Sequence, residues 1–114
     1  MPAKPALPAE IRRMRAQVDR LNARLVVLLQ ARAGLARRLA HAKARHGLPA
    51  ADPARERSML RRMLHAAPGG FPRSELALIL RTVLAASRRL VVEEQARRQA
   101  AARPARRRGA GAGP

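Results

Sequence analysis

An apolar stripe constrains this chain more than any other feature. Met14, Val18, Leu21, Leu25 and Leu28 recur at alternating spacings of four and three, and Leu35, Leu39 and Ala42 continue the series beyond one interruption at Arg32. That spacing is the seam of a helix packed against other helices. Pro8 suits the opening of such a helix and Glu10 its positive end. No proline follows until Pro49, and His46-Gly47 reads as the stop, with Gly47 as a left-handed cap. A helix over 9–46 is roughly 57 Å long, whereas a compact domain of this size has a radius of gyration near ~13 Å. So long a helix cannot hide its stripe against its own short partners, and its length predicts a homodimer.

Arg32 occupies a place in the seam where a leucine is expected. Its guanidinium stays charged, and burying it without partners is very costly. Either the seam opens to water there or an anion sits against Arg32.

The rest of the chain supports two more helices. Asp52 reads as an N-cap with Pro53 at the first helical position, so a second helix is expected over 53–66, burying Met59, Leu60, Met63 and Leu64. Pro68-Gly69-Gly70 ends it. Pro72 and Ser74 open a third helix carrying Leu76, Ile79, Leu80, Val83, Leu84, Leu90 and Val91, expected to fray past Val92. The fold class is therefore all-α, a three-helix chain with one long N-terminal helix. Its expected organisation is a flexible N-terminus over 1–8, a helical domain over 9–96 and a disordered basic tail over 97–114.

Composition narrows the function. The 114 residues fit one small domain and include no Cys, so neither disulfides nor thiolate metal sites are available. His41, His46 and His65 are too scattered to make a zinc site by themselves. No apolar run approaches the ~20 residues of a bilayer span, and Met1 to Pro8 lacks the apolar core of a secretory signal, so a cytoplasmic protein is expected. The net charge of +18 invites a nucleic-acid reading. Six of those charges, however, sit on Arg97, Arg98, Arg103, Arg106, Arg107 and Arg108 among prolines and glycines. The single Phe, with no Tyr or Trp, leaves no stacking platform for bases. A basic helical nucleic-acid binder stays as an alternative motivated by charge alone.

The polar residues that break the apolar faces are more specific. Lys43 lies eleven residues after Arg32, within about 20° of the same helix face and about 16 Å further along the axis. Two long cationic side chains leaning together leave room for a small dianion, floored by Leu35, Ala36 and Leu39; two unrelated surface cations fit the same spacing. Arg15 points away from that face, at about 260° from Arg32. It is either an exposed cation or a contributor to an anion site on a partner chain. Asp52 has a structural role as a cap, while Arg55 and Glu56 project from the first turn of the second helix. Glu56 suits a cation, a ligand hydroxyl or plain solvation at a helix N-terminus. Ser87 interrupts the third helix, where a serine commonly bonds back to its own backbone. With no nucleophile–base pair, glycine-rich loop or metal cluster, these residues suit binding a dicarboxylate and catalysis by positioning and electrostatics.

Together they resemble the all-helical, type II chorismate mutases. The run Arg15-x-x-Val18-Asp19-x-Leu21-Asn22-x-x-Leu25-x-x-Leu28-Leu29-x-x-Arg32, then Lys43, then Asp52-x-x-Arg55-Glu56, carries the resemblance without a gap, and Ile79 to Ser87 fits the family's last helix. The resemblance implies an intertwined homodimeric helical bundle with two active sites. It implies the cofactor-free Claisen rearrangement of chorismate to prephenate, in phenylalanine and tyrosine biosynthesis. It assigns Arg15 of the other protomer and Arg32 to substrate carboxylates. Lys43 would hold a carboxylate and the ether oxygen. Glu56, and Asp52 through its backbone, would take the ring hydroxyl, Arg55 would line the pocket, and Ser87 would face the ring carboxylate. Lys43, Arg32 and Glu56 are the expected catalytic set. One position departs: the family usually has Gln or Glu one turn after Ser87, as a second donor to the ether oxygen, and this chain has Val91. Three consequences stay open: a slow mutase, one activated by a shikimate-pathway enzyme or kept for regulation, or a related substrate.

Overall fold

The structure is a computed structural model that describes residues 5–66 and 68–102. It contains three helices, α1 (Ala9–Arg45), α2 (Pro53–Ala66) and α3 (Arg73–Ala102). The chain divides into two compact units, Met1–Gly34 and Leu35–Pro114.

The helix ends follow local chemistry. Pro8 supplies the carbonyl that accepts the Arg12 amide at 3.1 Å, so α1 begins directly after it. At the other end the Leu48 amide donates to the Lys43 carbonyl at 2.8 Å and the Gly47 amide to the Ala44 carbonyl at 3.2 Å. This is the paired bonding of a Schellman stop, with Gly47 at φ 67° in the left-handed region it requires. The helix ends one residue earlier than the expected 46. For α2 the expected bounds hold through Ala66. Gly69 and Gly70, at φ 102° and 76°, turn the chain into α3.

The first unit carries most of α1, and its stripe is bare in the single chain. Met14, Val18, Leu21, Leu25 and Leu28 are all more than half exposed, Leu28 reaching 63%. In the second unit, α2 packs against α3. The buried apolar residues among those described are Ala40 of α1 and Ala77 and Leu84 of α3. Met59, Leu60, Met63 and Leu64 of α2 are half-buried, as are Leu76, Leu80, Val83, Leu90 and Val91 of α3. Ile79, expected in the apolar face, is 41% exposed.

The third helix departs from expectation at its C-terminal end. It runs to Ala102 instead of fraying past Val92, and so takes in 97–102 of the stretch expected to be disordered. The physical reason is local: no proline or glycine stands between Ser74 and Pro104, and alanines fill the last turns. Glu94 ties the segment along its own helix, to Arg97 at 3.0 Å and Arg98 at 3.4 Å. Arg98 also reaches the His41 ring on α1. The remainder of the expected tail, 103–114, and the first four residues of the expected flexible N-terminus lie outside the described residues.

Candidate active site

Arg15 and Arg32 belong to the first unit, Arg15 exposed and Arg32 half-buried. The second unit holds the other residues of the expected site.

Lys43 stands in the last turn of α1, where the helix dipole favours a cation. Its carbonyl is the acceptor of the Schellman bond from Leu48 and also takes the His46 amide at 3.1 Å. The backbone beneath Lys43 is thereby fixed, while its side chain is half-buried.

Asp52 caps α2. Its carbonyl accepts the Glu56 amide at 3.1 Å and its Oδ1 accepts the Arg55 amide at 3.1 Å. The carboxylate thus satisfies one of the four amides a helix start leaves unpaired. One bond at Oδ1 leaves the second oxygen of Asp52 outside the cap. Arg55 is exposed in the first turn.

Glu56 reaches another helix. Arg88 Nη1 on α3 donates to Glu56 Oε2 at 2.7 Å, with the two side chains 54% and 32% exposed. Of the uses open to Glu56 from the sequence, pairing with a cation is realised, and the cation is one that sequence reasoning missed. The signal was weak: Arg88 is one arginine among many, 32 residues away, and only the packing of α2 on α3 makes them neighbours. A carboxylate has about four lone-pair directions on two oxygens, so one bond at Oε2 does not exhaust its capacity.

On α3, Ser87 Oγ donates to the Val83 carbonyl at 3.0 Å, one turn back. Such a bond is the expected habit of a serine inside a helix. Val91 follows one turn later, half-buried and without a polar side-chain atom. Glu94, the next acid but one along α3, is taken up by Arg97 and Arg98. Among the described residues, no three His, Asp or Glu side chains gather closely enough to hold a metal ion.

The second unit therefore offers a cation at the end of α1, a capped and ion-paired first turn on α2, and a hydroxyl on α3. A family model described as chorismate mutase type II matches residues 14–92. Two solved structures of chorismate mutase from Thermus thermophilus are similar, each at 32% identity. The form II structure has a TM-score of 0.67 over 72% of this chain and 93% of its own. The form I structure has a TM-score of 0.65 over 68% and 98%. No curated protein sequence matches the chain significantly.

Proposed function

The chain belongs to the type II chorismate mutase family, a family of isomerases, and on that basis we propose how its own residues rearrange chorismate to prephenate. The observation that carries the proposal is the span of the family match. Residues 14–92 include Arg15, Arg32, Lys43, Asp52, Arg55, Glu56, Ser87 and the departed position Val91.

In the rearrangement the ether C–O bond breaks as a new C–C bond forms, and negative charge grows on the ether oxygen. No proton, electron or group leaves the substrate, so the protein's work is positioning and charge stabilisation. We assign Arg32 and the partner protomer's copy of Arg15 to the two carboxylates. Clamping both selects the compact conformer in which the bond-forming carbons meet, which removes entropy from the barrier. Lys43 is assigned to the ether oxygen, where a fixed cation stabilises the transition state more than the substrate. The Asp52 main chain and Glu56 take the ring hydroxyl, Arg55 lines the pocket, and Ser87 faces the ring carboxylate.

The homodimer belongs to the same proposal. Its support is the bare stripe of α1, since each leucine buried against a second chain contributes ~1.5–3 kcal/mol. Among the described residues no helix is long and apolar enough to cross a membrane, and a cytoplasmic location is our reading. Val91 favours a second reading, in which a shikimate-pathway enzyme docked on the dimer raises a slow basal rate.

Incubating purified protein with chorismate tests both. Loss of chorismate with formation of prephenate by the protein alone supports the first reading. Turnover that needs added pathway enzymes supports the second, and no turnover under either condition refutes both.

A further inference from the structure

We infer that Arg88 is a positioning residue for substrate recognition, acting through Glu56. The inference rests on the reading that Glu56 takes the ring hydroxyl, and it adds a residue which neither the motif nor the resemblance includes.

Glu56 is the only acid on α2, and it shares that helix with Arg55, Arg57, Arg61 and Arg62. None of those four lies three or four residues from Glu56, so its own helix offers the carboxylate no facing cation and no single orientation. Arg88 selects one. It approaches from α3 at 2.7 Å, within the range of a charge-assisted bond. Among the described residues the other two ion pairs, from Glu94 to Arg97 and to Arg98, lie within α3, so this is the pair that crosses between helices.

Arg88 also directly follows Ser87 in sequence. One segment of α3 therefore carries a pocket hydroxyl and the clamp that orients the acid on α2. With Val91 unable to donate to the ether oxygen, substrate placement depends more heavily on the groups that hold the ring. The pair is half-exposed, so its contribution to folding is small. Its consequence is the geometry of Glu56, and a hydrogen bond to a carboxylate weakens steeply when misaligned.

A hydroxyl bound alike in ground and transition states affects KM more than kcat. The experiment is a double-mutant cycle in steady-state chorismate turnover, comparing wild type, Arg88→Ala, Glu56→Ala and the double variant, with thermal unfolding of each. Arg88→Ala is expected to raise KM about three- to tenfold with little change in kcat. The midpoint of unfolding should move by no more than about 4 °C. Adding Arg88→Ala to Glu56→Ala should produce no further loss, because there is no carboxylate left to orient. A silent Arg88→Ala beside an impaired Glu56→Ala overturns the inference and leaves the role of Glu56 standing. Fully multiplicative losses overturn it as well. A Glu56→Ala variant indistinguishable from wild type refutes the underlying assignment of Glu56 and the inference with it.

Discussion

The Oδ1 atom of Asp52 accepts the Arg55 amide at 3.1 Å, so the residue that begins the Asp-x-x-Arg-Glu run spends its side chain on holding the helix start. Glu56 sits one residue beyond Arg55, with its own amide on the Asp52 carbonyl. The capping role of this short run and the substrate role proposed for it are separable by substitution.

Asp52→Ala should lower stability by about 1 kcal/mol, the usual cost of losing an N-cap, while Asp52→Ser should restore most of it. Turnover per folded molecule should stay near wild type if Asp52 serves the substrate through its main chain. Thermal unfolding and steady-state kinetics on the same samples check this. A collapse of kcat in Asp52→Ser would show that the carboxylate itself is used.

Lys43→Ala should abolish turnover while leaving oligomeric state and unfolding temperature nearly unchanged. Loss of one preorganised donor to developing charge costs on the order of a hundred- to a thousandfold in rate. The Schellman stop beneath Lys43 is made by its main chain and Gly47, and so survives the truncation. Following chorismate absorbance measures the loss, and unchanged activity refutes the assignment.

Val91→Gln should raise kcat, by up to about a hundredfold, by placing a second donor one turn after Ser87. The position is half-buried in the second unit, so the longer side chain is not forced into a closed core. A rate no faster than wild type would mean that the site meets the charge on the ether oxygen without a donor at this position.

Leu21→Asp and Leu28→Asp should dissociate the proposed homodimer. In the single chain these residues are 60% and 63% exposed, and a surface substitution at such a place typically changes stability by less than ~0.5 kcal/mol. In a packed seam the same change removes ~1.5–3 kcal/mol per chain and buries a charge. Light scattering of the variants distinguishes the cases, and dimers of unaltered affinity would place the interface elsewhere.

Mixing Arg15→Ala chains with Lys43→Ala chains should recover activity that neither variant has alone. If Arg15 serves the site of the partner protomer, each mixed dimer contains one site with both defects and one intact site. Statistical exchange then restores about a quarter of wild-type activity. No recovery after demonstrated subunit exchange would assign Arg15 to its own chain.

The helices, and the expectation of a second chain, were legible from the residues alone. Helix ends are local events: Pro8, Gly47, Asp52 and Pro53 act on amides and carbonyls within a turn, and periodicity reports which face is apolar. The family was also legible, through the resemblance carried by Arg15, Arg32, Lys43 and the Asp52-to-Glu56 run. The bond from Ser87 to its own backbone was readable because it too is local, one turn back along its helix. Contacts between helices were not, and they emerged only with the folded chain. Glu56 meets Arg88 across 32 residues and His41 meets Arg98 across 57. In a chain this rich in arginine, no local pattern marks which guanidinium an acid or an imidazole will face. That choice is made when α2 packs on α3 and when α3 continues, unbroken by proline or glycine, as far as Ala102.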